Sequence, residues 1–138
     1  DPIYAKQFIQ IVTWIKSINP SIQLLIITNG SYKTEAWWKS LADILNKHDE
    51  IHWSLDGWNQ ESNSKYRVNC DWASIITGLS TFVKHNQETY TVIATIAFRF
   101  NELGLVNILM HTAVMIYSSR LIQILLQKVI DLKENKLY

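Results

Sequence analysis

The sequence predicts an α/β protein built on parallel strands. Three observations lead there. Segments with helical and strand periodicity alternate along the first hundred residues. A helical segment separates each strand from the next, which calls for right-handed crossovers and excludes an antiparallel sandwich. Each strand also stops at a short polar turn.

In order, Tyr4 to Ile18 carries Phe8, Ile11, Val12, Ile15 and Ile18 at spacings of three and four, one face of a helix. Asn19-Pro20-Ser21 breaks it. Ile22 to Thr28, with Leu24, Leu25, Ile26 and Ile27, is apolar on both faces, as expected of a strand covered by helices on each side. Thr34 is an N-cap candidate for a helix burying Trp37, Trp38, Leu41, Ile44 and Leu45. Ile51 to Leu55 is a second strand, and the polar stretch Asn59 to Asn69 is expected to be a loop. Asp71 opens a third helix with Trp72, Ile75, Ile76, Leu79, Phe82 and Val83 inward, ending near His85-Asn86. Tyr90 to Phe98 is the third strand.

The last forty residues differ. From Leu103 to Gln127 the only charge is Arg120, so a helical C-terminal tail is expected. Asn107, His111, Thr112, Ser118 and Ser119 interrupt the apolar run, which argues against a membrane span of about 20 largely apolar residues. The chain divides into residues 1–101, an α/β core, and 102–138, an apolar tail.

At 138 residues one domain is expected, and 48% apolar against 18% charged residues is the composition of a globular chain. A formal charge of +1 steers the surface toward neither nucleic acid nor anionic lipid. The single cysteine, Cys70, closes no internal disulfide, which fits a reducing, cytoplasmic compartment. Asp1-Pro2-Ile3-Tyr4 carries no signal-peptide features and no initiator Met, so a fragment or processed chain is expected.

In parallel α/β folds, working residues sit on loops leaving the carboxyl ends of strands. Here those are Thr28-Asn29-Gly30-Ser31, Ser54-Leu55-Asp56-Gly57 and Phe98-Arg99-Phe100-Asn101. Their short polar groups could converge on one small molecule, with Gly30 and Gly57 allowing close backbone approach. The same dipeptides are also common ways to leave any strand. His48, His52, His85 and His111 show no metal-ligand spacing, and most tryptophans lie on helices where core packing is expected, Trp58 excepted, which could cover a ligand. Asp43, Asp49, Glu50, Asp56 and Glu61 include no recognisable catalytic pair. No Gly-x-Ser-x-Gly elbow, Gly-x-Gly-x-x-Gly fingerprint or P-loop is present.

The ordered landmarks Asp1-Pro2, Thr28-Asn29-Gly30-Ser31, Glu35 to Ala42 with its tryptophan pair, Trp53-Ser54-Leu55-Asp56-Gly57, Tyr66-Arg67-Val68-Asn69 with Trp72, and Phe98-Arg99-Phe100-Asn101 resemble the radical S-adenosylmethionine (radical SAM) enzymes. The resemblance is to the subgroup of bacteria and their phages, and it covers about residues 1–101. It implies a partial (βα) barrel, and three cysteines in a CxxxCxxC motif that bind a 4Fe-4S cluster. In that family the cluster cleaves S-adenosylmethionine and produces a 5′-deoxyadenosyl radical, the cofactor carrying the hard chemistry. The resemblance puts Asp1 beside the cofactor's amino group, and Thr28, Asn29, Ser54, Asp56 and Asn101 at strand ends facing cofactor or substrate.

Two departures follow. The cluster cysteines would precede Asp1, and Cys70 stands in an unlike context, so the chain alone is expected to hold no cluster and to be inactive. After Asn101 the sequence leaves the family pattern, which suggests an altered or out-of-frame C-terminus. The alternative is a non-catalytic interaction or structural protein, a half-barrel scaffold whose tail docks on a partner. On either reading, self-association through exposed edges or the apolar tail is expected.

Overall fold

The computed structural model describes residues 1–108, 110 and 122–127. A 3-10 turn at Pro2–Tyr4 leads into α1 (Phe8–Ile18), β1 (Leu25–Thr28), α2 (Glu35–Ile44), β2 (Glu50–Ser54), α3 (Gln60–Ser64), α4 (Trp72–His85), β3 (Tyr90–Ile96), a second 3-10 turn at Glu102–Gly104 and β4 (Ile122–Gln127). The strands form one sheet in the order β1-β2-β3-β4, and every pairing is parallel. The α/β class is therefore present, with each strand neighbouring the next in sequence.

Strand alternation decides which residues enter the core. Ile26, Ile51, Trp53 and Ile93 project to one face and pack with Val12, Trp38, Leu41, Ile75, Leu79 and Phe82 of the helices. Trp38 and Trp53 meet at a centroid distance of 4.4 Å, and Trp53 meets Phe82 at 6.4 Å. This stack joins α2, β2 and α4 into one layer against the sheet. Thr34 caps α2 by accepting from the Trp37 amide, as its sequence position predicts.

The opposite face corrects one expectation. Leu25 is 55% and Ile27 52% exposed, so β1 is covered on one side only. Its apolar residues look like a doubly covered strand because the open face is itself apolar. The C-terminal expectation is corrected as well: Ile122–Gln127 is a strand paired along β3, not part of a helical tail. Residues 105–108 and 110 are helical; 109, 111–121 and 128–138 of the expected tail, His111 included, lie outside the described residues.

Two further corrections concern local structure. The stretch expected to be a loop contains α3, held by a capping box between Asn59 and Ser62. On α1, Ile11 and Ile18 are exposed, as is Trp14, while Lys16 is buried beside Val12. The cause is Asp49, whose Oδ1 accepts from Lys16 Nζ at 2.6 Å and from the Leu24 amide at 3.0 Å. Lys16 also donates to the Pro20 and Ile22 carbonyls. Near this amino-terminal end of the sheet, Asn86 donates to the Ala42 and Leu45 carbonyls and ties α2 to α4.

A short edge strand with an exposed apolar face invites pairing with another chain. We expect size-exclusion chromatography to show species larger than the monomer, or loss of soluble protein on concentration. A stable monomer at every concentration would contradict this.

Candidate functional site

A parallel sheet in sequential order sends all its strand exits to one end, so the polar turns after β1, β2 and β3 lie along a shared rim. The register makes the spacing concrete. Thr28 pairs with Trp53, and Ser54 with Ala94, which sets Asn29 next to Ser54 and Asp56 next to Ile96.

At the β1 exit, the structure brings together Asp1, Thr28 and Asn29. Asp1 Oδ2 accepts from the Asn29 amide at 2.7 Å and from Thr28 Oγ1 at 3.0 Å, while Oδ1 accepts from the Ile3 amide at 3.2 Å. Thr28 Oγ1 in turn accepts from the Gly30 amide, and Asn29 Oδ1 from the Ser31 amide and the Tyr4 hydroxyl. The amino-terminal segment is thereby fastened to the first turn.

At the β2 and β3 exits, Asp56 and Asn101 come together with two residues the sequence reading did not place in the site, Asn63 and Arg67. Asp56 Oδ1 accepts from the Ile96 amide at 2.7 Å, and Oδ2 stands 2.6 Å from Arg67 Nε. The latter is a charge contact that lacks the angle of a hydrogen bond. Asn63 Oδ1 accepts from the Asp56 amide. Asn101 Nδ2 donates to the Asp56 and Ile96 carbonyls, and its Oδ1 accepts from the Phe98 amide. Both Asp56 and Asn101 are fully buried.

Asp56 and Asn101 are buried and held by the protein, Asp56 Oδ2 by the Arg67 charge alone, and they shape the loops. Asn29 Nδ2 and the Ser54 hydroxyl have no protein partner among the described residues, and both residues are only half-buried. They are polar groups that the first two turns leave open. Ser54 lies on the open face of the sheet, by alternation with Trp53.

Gly30 has φ +75°, and a Cβ there would stand 2.6 Å from the Trp53 ring; at Gly57 a Cβ would stand 2.2 Å from the Asn63 amide. Both make room for the protein's own packing. Trp58 packs on Gly104 and, half-buried, against the core. Gly30→Ala combines a disfavoured backbone conformation with an indole clash and is expected to cost about 2–4 kcal/mol, read from the urea midpoint. An unchanged midpoint would show that Trp53 yields freely.

Among the described residues, no group of three His, Cys, Asp or Glu side chains could hold a metal ion. Cys70 is buried, with Asn63 Nδ2 3.3 Å and Ser64 Oγ 3.5 Å from its sulfur. These residues do not fit an iron–sulfur cluster, which needs several thiolates. No described helix is long and apolar enough to cross a membrane.

Neither protein-family models, nor curated proteins, nor solved structures give a match to this chain. The residues themselves therefore carry the argument about function.

Proposed function

We propose that the chain is part of a radical SAM enzyme, about half of a (βα) barrel, with S-adenosylmethionine and a small-molecule substrate meeting its strand-end rim. The observation that carries this reading is the arrangement of Asn29 and Ser54 side by side at the exits of adjacent parallel strands, next to an open sheet face. In a barrel that face lines the interior, and a sheet wound in sequential order with its core packed against one face is compatible with half of such a barrel. Asn29 and Ser54 would contact the ligand, while Asp1, Thr28, Asp56 and Asn101 hold the turns that carry them.

The cluster does not fit the described residues, so no step through it is assigned to this chain. Its ligands belong, on this reading, to another part of the parent protein. A cytoplasmic setting belongs to the same proposal, since an unpaired thiol and such a cluster both persist in reducing surroundings. The coding sequence immediately before the Asp1 codon tests the proposal: a CxxxCxxC motif is expected, and an initiator Met directly before it would overturn it. Anaerobic treatment of this chain with iron and sulfide should leave no cluster absorbance, and stoichiometric incorporation would refute the assignment of the ligands.

A direct binding test is a titration of the 15N-labelled chain with S-adenosylhomocysteine. Amide shifts are expected at residues 28–31 and 54–57, and their absence at millimolar ligand would count against the rim. The exposed Leu25 and Ile27 favour a second reading, a non-catalytic scaffold whose open face is covered by a partner. That reading expects no shifts at these turns.

A further inference from the structure

At the β3 exit, rings of the turn itself and of the neighbouring 65–67 segment lie together, outside the hydrogen-bond network of the turns. Tyr66, Phe98 and Phe100 form a run of rings, with centroids 4.5 Å apart for the first pair and 5.2 Å for the second, the two phenylalanines only 10° from parallel. Tyr66 is 48% and Phe100 37% exposed. Lys65 Nζ lies 5.8 Å from the Phe100 ring centre, and the Arg67 guanidinium 5.6 Å from that of Tyr66. Arg99 is exposed between the two phenylalanines in sequence.

The charges divide unequally. Arg67 is taken by Asp56, whereas Lys65 and Arg99 have no ion-pair partner among the described residues. Glu102, the next acidic residue along the chain, is exposed and pairs with neither. Exposed stacked rings leave apolar area in water, and a further flat ring laid on them recovers it. An oxyanion on that ring would find an unengaged cation in Lys65. A long lysine side chain resting over a ring is displaced easily and can turn its ammonium toward the newcomer.

We propose that this shelf binds a small planar aromatic ligand carrying a phosphate or carboxylate, its ring stacked on Phe100 and its anion met by Lys65. The shelf then forms the substrate end of the rim, a placement that rests on the strand-end reading, whereas the binding itself does not.

The test is a titration of the 15N-labelled full chain with uridine 5′-monophosphate and, separately, with benzoate; the tighter of the two names the anion. Uridine and inorganic phosphate serve as controls. Shifts are expected at the amides of residues 65–67 and 98–100, with the tighter ligand binding about tenfold more strongly than either control. Phe100→Ala and Lys65→Ala, both at exposed positions, should each weaken binding about fivefold or more and leave core resonances in place. The proposal is overturned by no binding of either probe, by equal shifts with phosphate alone, or by unchanged affinity in both variants. Failure here with intact S-adenosylhomocysteine shifts at residues 28–31 and 54–57 removes the shelf alone; the reverse removes the strand-end reading alone.

Discussion

Asp49→Ala is expected to destabilise the chain by about 3–5 kcal/mol, enough to unfold a marginal domain. The carboxylate is fully buried and receives Lys16 Nζ at 2.6 Å together with the Leu24 and Asn46 amides. Removing it strands a buried ammonium and two amide donors at once. Replacing both charged residues, as Lys16→Met with Asp49→Leu, should recover part of the loss and not all of it. The unpaired lysine disappears in that variant, but the two amides still lack their acceptor. Urea unfolding followed by tryptophan fluorescence reads both. A wild-type midpoint for Asp49→Ala would mean that Lys16 reaches solvent without cost.

Asp56→Ala is the second large effect, expected at about 3–4 kcal/mol with a local consequence at the rim. It leaves the Ile96 amide without an acceptor and Arg67 without its counter-charge. Residues 96–101 and the 58–70 segment are then joined by fewer bonds, and their amides should exchange with solvent faster than those of β1. Asp56→Asn keeps an acceptor for Ile96 but loses the charge, so an intermediate loss is expected. Uniform exchange across the molecule would mean that Asp56 supports global stability and not the rim in particular.

Periodicity made the helices and the first three strands legible. Those patterns follow from burial on one face, which local sequence records. What it does not record is a partner far along the chain. Nothing near Lys16 in sequence announces Asp49, 33 residues later, which draws it into the core. Leu25 and Ile27 looked buried because apolar character alone does not say whether a covering layer exists.

The candidate site was legible in the same uneven way. Thr28, Asn29, Ser54, Asp56 and Asn101 stood out because short polar residues follow apolar strands. Whether each one faces a ligand or holds a loop depends on hydrogen bonds that only the folded chain reveals. Asn63 and Arg67 reach Asp56 through the path of the segment containing α3, and no spacing rule marks them. Gly30 and Gly57 were recognised as turn residues, yet their missing side chains are matched to Trp53 and to the Asn63 backbone.

The Asp1 carboxylate grips the Thr28-Asn29 turn directly. Any polypeptide fused ahead of this residue therefore leaves the molecule at the strand exits and not at the far pole. An affinity tag attached there would crowd those turns, and a domain attached there would arrive already poised above them.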